Sequence, residues 1–348
     1  MTYEFERQHT PFDRATLLRR GAAAGASLGV AGLLPGFALG RTAGTTLNLV
    51  GYSTPKAVMT AEEAGWEQTP QGAGNSFTNS FGPSTSQAQA VVAGLPADLV
   101  FLSWPGDIET LVSAGLVSPK WDEQSYNGIV ANTVLVFALR NGNPKAIRTW
   151  SDLVKPGVQV VTPDPFSSGA AKWNVLAAYA AQRHLKMTDA QAISYVEALF
   201  KNVVAQPTSG SNATAAFEAG EGDVLLTFEA ESITANQTAG SNVIQYVIPK
   251  QTMLVQLPIA VLENSSNKYP ANLFIQYLKG TAGQVVFGQK GFRPVNPAAA
   301  KQFKFPLRPG EITIDDPVLG GYAKAEARWF ANGGLMQQIE SKVGGPTA

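Results

Sequence analysis

The sequence of 348 residues has no cysteine. This excludes disulfides, thiolate metal sites, a cysteine nucleophile and a lipid-modified N-terminal cysteine, and it is compatible with any redox compartment. Histidine is nearly absent as well, occurring only as His9 and His184. A histidine-built metal centre lacks its ligands, and serine–histidine catalysis would rest on His184 alone. No cofactor is expected. Charge is sparse, at 15% of residues, and balanced at 26 basic against 26 acidic side chains. Nothing marks a surface for nucleic acid. With 45% hydrophobic residues the chain can bury a sizeable core, and its length suffices for two lobes or domains. No repeat at fixed spacing occurs.

What is present begins with a leader-like segment. Residues 1–20 are polar and close on "TLLRR", and residues 21–40 form the Gly/Ala/Leu run "GAAAGASLGVAGLLPGFALG". A basic start, a weakly apolar stretch and a small-residue end predict a signal peptide over 1–40, and the Arg19–Arg20 pair resembles a twin-arginine signal. Pro35 and the glycines argue against a membrane anchor. Without residues 1–40 the chain keeps 22 basic and 23 acidic side chains, a net charge of −1. A near-neutral protein in the periplasm or another extracytoplasmic space is expected.

From Thr45 onward, β-like and helical stretches alternate. "TTLNLVGYS", "ADLVFLS", "GIVANTVLVFALRNGNP", "VQVVTP", "DVLLTF", "SNVIQYVIP" and "MLVQLPIAVL" read as strands. Helices are predicted between them, and one last helix over residues 321–341. The pattern predicts α/β sheets with helices on their faces. No Pro/Gly-rich linker divides the chain, so the lobes should be joined by strands.

Small uncharged residues cluster at four predicted helix starts: Ser53-Thr54, Ser84-Thr85-Ser86, Ser168-Gly169-Ala170 and Ser209-Gly210-Ser211-Asn212. The first N–H groups of a helix have no intrahelical partner, and the macrodipole places partial positive charge there. Such ends bind anions, although any one of these loops can equally be plain capping. No Lys or Arg lies in any of the four. A site made only of N–H and O–H donors suits a fully ionised tetrahedral dianion, such as sulfate. Hydrogen bonds to a charged group contribute about 1.5–3 kcal/mol each.

The segment "RNGNPKAIRTWSDLVKPGVQVVTPDPFSSGAAKWNVLAAYA" (140–180) resembles the core of the prokaryotic sulfate/thiosulfate-binding proteins of ABC importers. "GLPADLVFLS", "EGDVLLTFEAES", "GFRPVNP" and "FANGGLMQQI" are similar to further blocks of that family, in order, so the resemblance runs over almost all of the chain from about Leu47. It implies a two-lobed periplasmic-binding-protein-like fold of type II with a ligand cleft. The lobes would be 45–130 plus 250–348 and 131–249. It also implies capture of sulfate or a related oxyanion, delivery to ABC permease subunits in the membrane, no enzyme activity, and a monomer. Carried over, the ligand contacts are Ser53, Ser84, Ser168, Gly169, Ala170, Ser211 and Phe228. Four depart from the family pattern. Ala170 replaces a second Gly whose N–H should persist. Ser53 stands where many members have Asp. Ser211 falls at or beside a position often held by Arg. Phe228 replaces a Trp whose indole N–H is a donor, which Phe lacks. These departures leave thiosulfate, molybdate or phosphate as alternatives within the same fold.

Elsewhere, Trp173 and Tyr179 are expected in the core, Lys172 on a solvated helix face, Asp164 in a turn and His184 exposed near a helix end. The competing enzyme reading is a hydrolase with Ser84 or Ser168 as nucleophile. "GPSTS" and "FSSGAAK" contain neither a G-x-S-x-G elbow nor an S-x-x-K spacing.

Overall fold

The computed structural model describes residues 44–306 and 310–345. The segment read as a twin-arginine signal, 1–40, lies outside the described residues. The chain opens with β1 (Thr46–Tyr52), α1 (Lys56–Glu67), β2 (Ser76–Gly82), α2 (Ser84–Val92), β3 (Leu99–Phe101) and α3 (Pro105–Ser113). A long strand follows, β4 (Ile129–Leu139), then β5 (Val160–Val161), α4 (Gly169–His184), α5 (Asp189–Lys201), β6 (Val203–Ala205), α6 (Gly210–Glu218), β7 (Val224–Phe228) and α7 (Glu229–Ala239). The remainder is β8 (Gln245–Val247), β9 (Leu254–Val261), α8 (Lys268–Lys279), α9 (Thr281–Gln289), β10 (Arg293–Pro294), α10 (Pro297–Ala300), α11 (Tyr322–Ala325) and α12 (Leu335–Val343).

The strands form a sheet in the order β2-β1-β3-β9-β4-β7-β5-β6, with β8 and β10 also pairing β4. Two parallel sets flank an antiparallel centre. β1 runs parallel to β2 and β3, and β5 runs parallel to β6 and β7. β3 and β7 are buried along their whole length, as expected for strands covered on both faces. β4 and β9 serve both sets. The first part of β4, from Ile129 to Val134, pairs with β9, and its last part, from Leu135 to Leu139, pairs with β7. β9 pairs β4 through Pro258 and β3 from Ile259 onward. The two outer sets are thus joined through continuous strands, not a tether.

Every parallel strand except β6 and β5 feeds its helix within a few residues, and even those reach α6 and α4 through short loops. The starts of α1, α2, α3, α4, α6 and α7 all follow the carboxyl ends of parallel strands, where open α/β sheets place their ligands. The core runs between the sets: Trp104 and Trp173 meet edge to face at 4.9 Å, and the Trp173 indole N–H donates to the Ser103 carbonyl at 2.6 Å. Trp173 and Tyr179 are fully buried, as expected.

The predicted single last helix is broken. α11 continues into a π-type turn over Glu326–Phe330, and the chain kinks before α12. Gly333 takes φ +76, a left-handed conformation that ends helices, and the Gly334 amide closes onto the Ala331 carbonyl at 2.7 Å. The segment before the kink already lies against the middle of the chain. Trp329 packs on Tyr179 at 5.0 Å, and Arg328 pairs with Asp189 at 2.7 Å.

Candidate functional site

The strands deliver several helix starts to one buried junction, centred on Gly169. Ser168 is the N-cap of α4 in extended conformation, and its side chain makes no capping bond. The loop before it is folded by Asp164, the turn residue read from the sequence. Asp164 accepts from the Phe166 amide at 2.9 Å and the Ser167 hydroxyl at 2.9 Å through its carboxylate. Its carbonyl accepts from the Ser168 amide at 3.0 Å. The Ser167 carbonyl in turn accepts from the Thr85 amide of α2 at 3.1 Å. A Cβ placed on Gly169 would lie 2.5 Å from Ser103 Oγ, 2.8 Å from Trp104 Cβ and 3.2 Å from Ser84 Cβ. Only glycine allows the α4, β2–α2 and β3–α3 segments to approach so closely.

A second contact point is Gly210, the first residue of α6. A Cβ there would lie 3.3 Å from Thr54 Oγ1, 3.7 Å from Ala170 Cβ and 3.8 Å from Glu231 Oε2. The β1–α1 loop, α4, α6 and α7 therefore meet beside the Gly169 junction. No side chain caps α2 or α4. The Thr85 and Ser86 amides of α2 donate to the Ser167 carbonyl at 3.1 and 3.4 Å, which leaves the Ser84, Gly169 and Ala170 amides as the leading donors of the two helices. The Ser103 and Tyr52 hydroxyls are buried here without a hydrogen-bond partner among the described residues. The small groups at the junction are neutral donors that could hold an anion.

The structure brings together Ser84, Ser168, Gly169 and Ala170 of the residues singled out from the sequence. Ser84 carries a different load than its hydroxyl suggests. Its Oγ donates to Asp107 at 2.6 Å and accepts from the Ser103 amide at 3.0 Å. Its remaining donor is the backbone amide that opens α2. Ser53 precedes the junction, and its neighbour Thr54 supplies the hydroxyl facing Gly210. At α6 the N-cap is Ser209, which accepts from the Asn212 amide at 3.2 Å. Ser211 is half-buried and lines an adjoining groove of about 670 Å³ with Thr54, Thr214 and Glu231. Phe228 is the N-cap of α7, is 1% exposed and belongs to the main hydrophobic cluster. Sequence reading missed Ser103, while Thr54 and Gly210 were named only as members of helix-start clusters and not as ligand contacts. Ser103 carried the same signal as the others, a small hydroxyl residue after a buried strand.

Lys172 corrects the sequence expectation. It is 3% exposed, not on a solvated face. Its ammonium lies 2.9 Å from Glu326 and 3.8 Å from Asp107. The reason is that both sides of α4 are covered, by α3 on one side and by the returning C-terminal segment on the other. Asp107 also accepts from Thr85 Oγ1 at 2.9 Å, and Glu326 from the Trp104 indole at 2.7 Å. Burial raises the Asp107 carboxyl; Lys172 and the Ser84 and Thr85 hydroxyls partly offset this, and Glu326 adds to it. The positive charge behind the junction is thus held by two acids.

His184 is not placed to serve Ser168 as a base. His184 sits at the far end of α4 from Ser168, about 24 Å along a 16-residue helix, and pairs with Asp316 at 2.9 Å. Among the described residues no group of three or more His, Cys, Asp or Glu side chains could hold a metal ion, and no helix is long and apolar enough to cross a membrane.

Comparison with known proteins agrees with this architecture. The family described as bacterial extracellular solute-binding protein matches residues 47–293. The sulfate-binding protein of Synechococcus elongatus is 35% identical over 77% of this chain and 78% of its own length. The thiosulfate-binding protein of Pseudomonas aeruginosa is 32% identical over 75% of this chain and 81% of its own. The solved sulfate-binding protein SubI of Mycobacterium tuberculosis superposes with a TM-score of 0.77 at 40% identity, covering 81% of this chain and 98% of that one. The fold is therefore periplasmic-binding-protein-like, and the chain belongs to the bacterial extracellular solute-binding proteins, in their sulfate/thiosulfate-binding family.

Proposed function

We propose that this protein captures sulfate at the Gly169 junction and delivers it to the permease of an ABC importer, without catalysis. The observation that carries the reading is the meeting of helix starts without side-chain caps and neutral hydroxyls at one buried point. Sulfate has no proton to give, so a site made of donors matches it, and a dry surrounding strengthens each bond. The relatives named above are binding proteins for sulfate and thiosulfate, which supports the same ligand class here.

The mechanism would be closure. Residues 45–130 with 250 onward would form one lobe and 131–249 the other, with β4 and β9 as the shared strands about which they rotate. The C-terminal segment from Glu326 on, though it follows the first lobe in sequence, rests on α4 and α5. Residues 1–40 would direct twin-arginine export, and the mature chain would act as a monomer outside the cytoplasm.

A second reading, thiosulfate or another oxyanion in the same cleft, is favoured by Phe228, which brings no donor. A thermal-shift series separates the two. The chain from Thr45 onward, dialysed free of sulfate, is heated with sulfate, thiosulfate, phosphate, molybdate or chloride. A ligand at about 1,000 times its Kd adds about 4 kcal/mol, so sulfate should raise Tm by several degrees and chloride should not. A rise with another oxyanion alone would retire sulfate. Ser168→Ala should weaken sulfate binding about tenfold, through loss of one charge-assisted bond. Its unfolding midpoint should hardly move, because the hydroxyl does not cap α4. Unchanged affinity by calorimetry would remove Ser168 from the site.

A further inference from the structure

The β3–α3 turn carries a hydroxyl that no protein group takes up. Ser103 follows β3 by two residues and is 1% exposed. Both of its backbone groups are engaged. Its amide donates to Ser84 Oγ at 3.0 Å, and its carbonyl accepts from the Trp173 indole at 2.6 Å. The residue is thus fixed between the start of α2 and α4. Its hydroxyl is buried without a hydrogen-bond partner among the described residues. The polar groups around it are already committed. Ser84 Oγ donates to Asp107 and accepts from the Ser103 amide. Asp107 accepts from Ser84 with one oxygen and from Thr85 with the other, and it faces Lys172 at 3.8 Å. A buried hydroxyl left unpaired is costly, and the few in native structures call for an explanation.

The place of this hydroxyl supplies the explanation. Ser103 Oγ lies 2.5 Å from a Cβ placed on Gly169, and Ser84 Cβ lies 3.2 Å from the same point. The hydroxyl therefore stands beside the two residues whose amides lead α4 and α2. Tyr52, the other hydroxyl without a partner here, is placed differently. Its phenol lies near Glu231, an α7 acid that is 7% exposed and is held by the Thr54 and Thr214 hydroxyls. An acid on that side disfavours an anion, whereas the acid on the Ser103 side is paired with Lys172. Phe228, at the start of α7, brings no donor. The geometry points to Ser103 as a further ligand-binding residue: its hydroxyl donates to an oxygen of the bound anion, adding a contact from the β3–α3 turn to those of α2 and α4. The inference rests on the sulfate reading above, and Ser103 lies outside the contacts that the family resemblance implies. Because the residue is clamped through its backbone, its bond to a charged oxygen needs little further ordering. In the protein without anion the same hydroxyl has nothing to bind. Its removal should therefore weaken binding without weakening the fold.

Two measurements on Ser103→Ala, made in the chain from Thr45 onward, test this. Calorimetry should show sulfate bound about tenfold to a hundredfold more weakly than by the wild type, the effect of losing one hydrogen bond to a charged group. Urea unfolding of the sulfate-free variant should give a midpoint equal to or above that of the wild type, since the hydroxyl has no partner to lose. A hydroxyl with a structural role would give the opposite pair, a lowered midpoint and an unchanged affinity. Unchanged sulfate affinity in Ser103→Ala overturns the inference and leaves the sulfate reading in place. A midpoint that falls together with the affinity overturns it as well, because the loss would then come from the fold. No sulfate binding by the wild type overturns the sulfate reading and this inference with it.

Discussion

Lys172→Ala is expected to lower the stability of the protein by about 3–5 kcal/mol, the usual effect of removing one partner from a buried ion pair. Lys172 is buried between Asp107 and Glu326, and no other cation is within ion-pairing distance of Asp107 among the described residues. Without the ammonium, Asp107 must stay neutral or be buried as an uncompensated charge. Its carboxyl is already raised by burial, so its folded value lies above its unfolded value of about 3.9. Such a group favours the folded state at low pH, and the contribution disappears as pH rises. The deficit of Lys172→Ala should therefore widen from about pH 5 to about pH 8 in urea titrations. Lys172→Met restores the aliphatic stem and should show the same widening, since the missing feature is charge. Lys172→Met combined with Asp107→Asn should recover much of the loss, because a neutral pair leaves no charge behind. A deficit independent of pH would mean that the lysine acts through packing alone.

Gly169→Ala should reduce anion affinity about tenfold to a hundredfold, as expected for a methyl group forced into a filled space at about 1–3 kcal/mol. The new Cβ would fall 2.5 Å from Ser103 Oγ and 2.8 Å from Trp104 Cβ, well inside normal contact. Both neighbours come from the β3–α3 segment, whereas Gly169 belongs to α4, so the clash acts where the two proposed lobes touch. The same substitution is harmless to the helix itself, since alanine favours helix over glycine. Affinity should fall in calorimetry while the urea midpoint stays within a few tenths of a molar. Unchanged binding would place the anion elsewhere.

Much of this was legible from the chain, for physical reasons that differ by segment. β3, β4 and β7 are largely apolar, buried runs, and such runs stand out against their turns. The helix start at Ser168-Gly169 was equally visible, since small residues after an apolar strand have few other uses. β2 was not read, because "SFTNSFG" is an edge strand whose residues are at best half-buried. α1 was missed in "KAVMTAEEAGWE", where a mid-helix glycine and adjacent glutamates blur the apolar face. The last helix was read as unbroken because Gly333 and Gly334 were passed over as tolerated interruptions. Lys172 and Glu231 were illegible in principle: nothing local distinguishes a charge that a distant segment will cover. Trp104, Asp107 and Glu326 find Lys172 only after the fold is complete.

The shared strands also set the order in which this chain can be finished during synthesis. β3 ends at Phe101, yet its antiparallel neighbour in the sheet is β9, which ends at Val261. Until that stretch has left the ribosome, the first parallel set has an open, wholly apolar edge. At about 5–20 residues per second the wait is roughly ten to thirty seconds. Neither half can be completed in isolation, because each lacks a strand that the other half's connection supplies. The nascent chain is therefore expected to require a holding chaperone over that interval, and fragments ending before residue 254 should aggregate rather than fold.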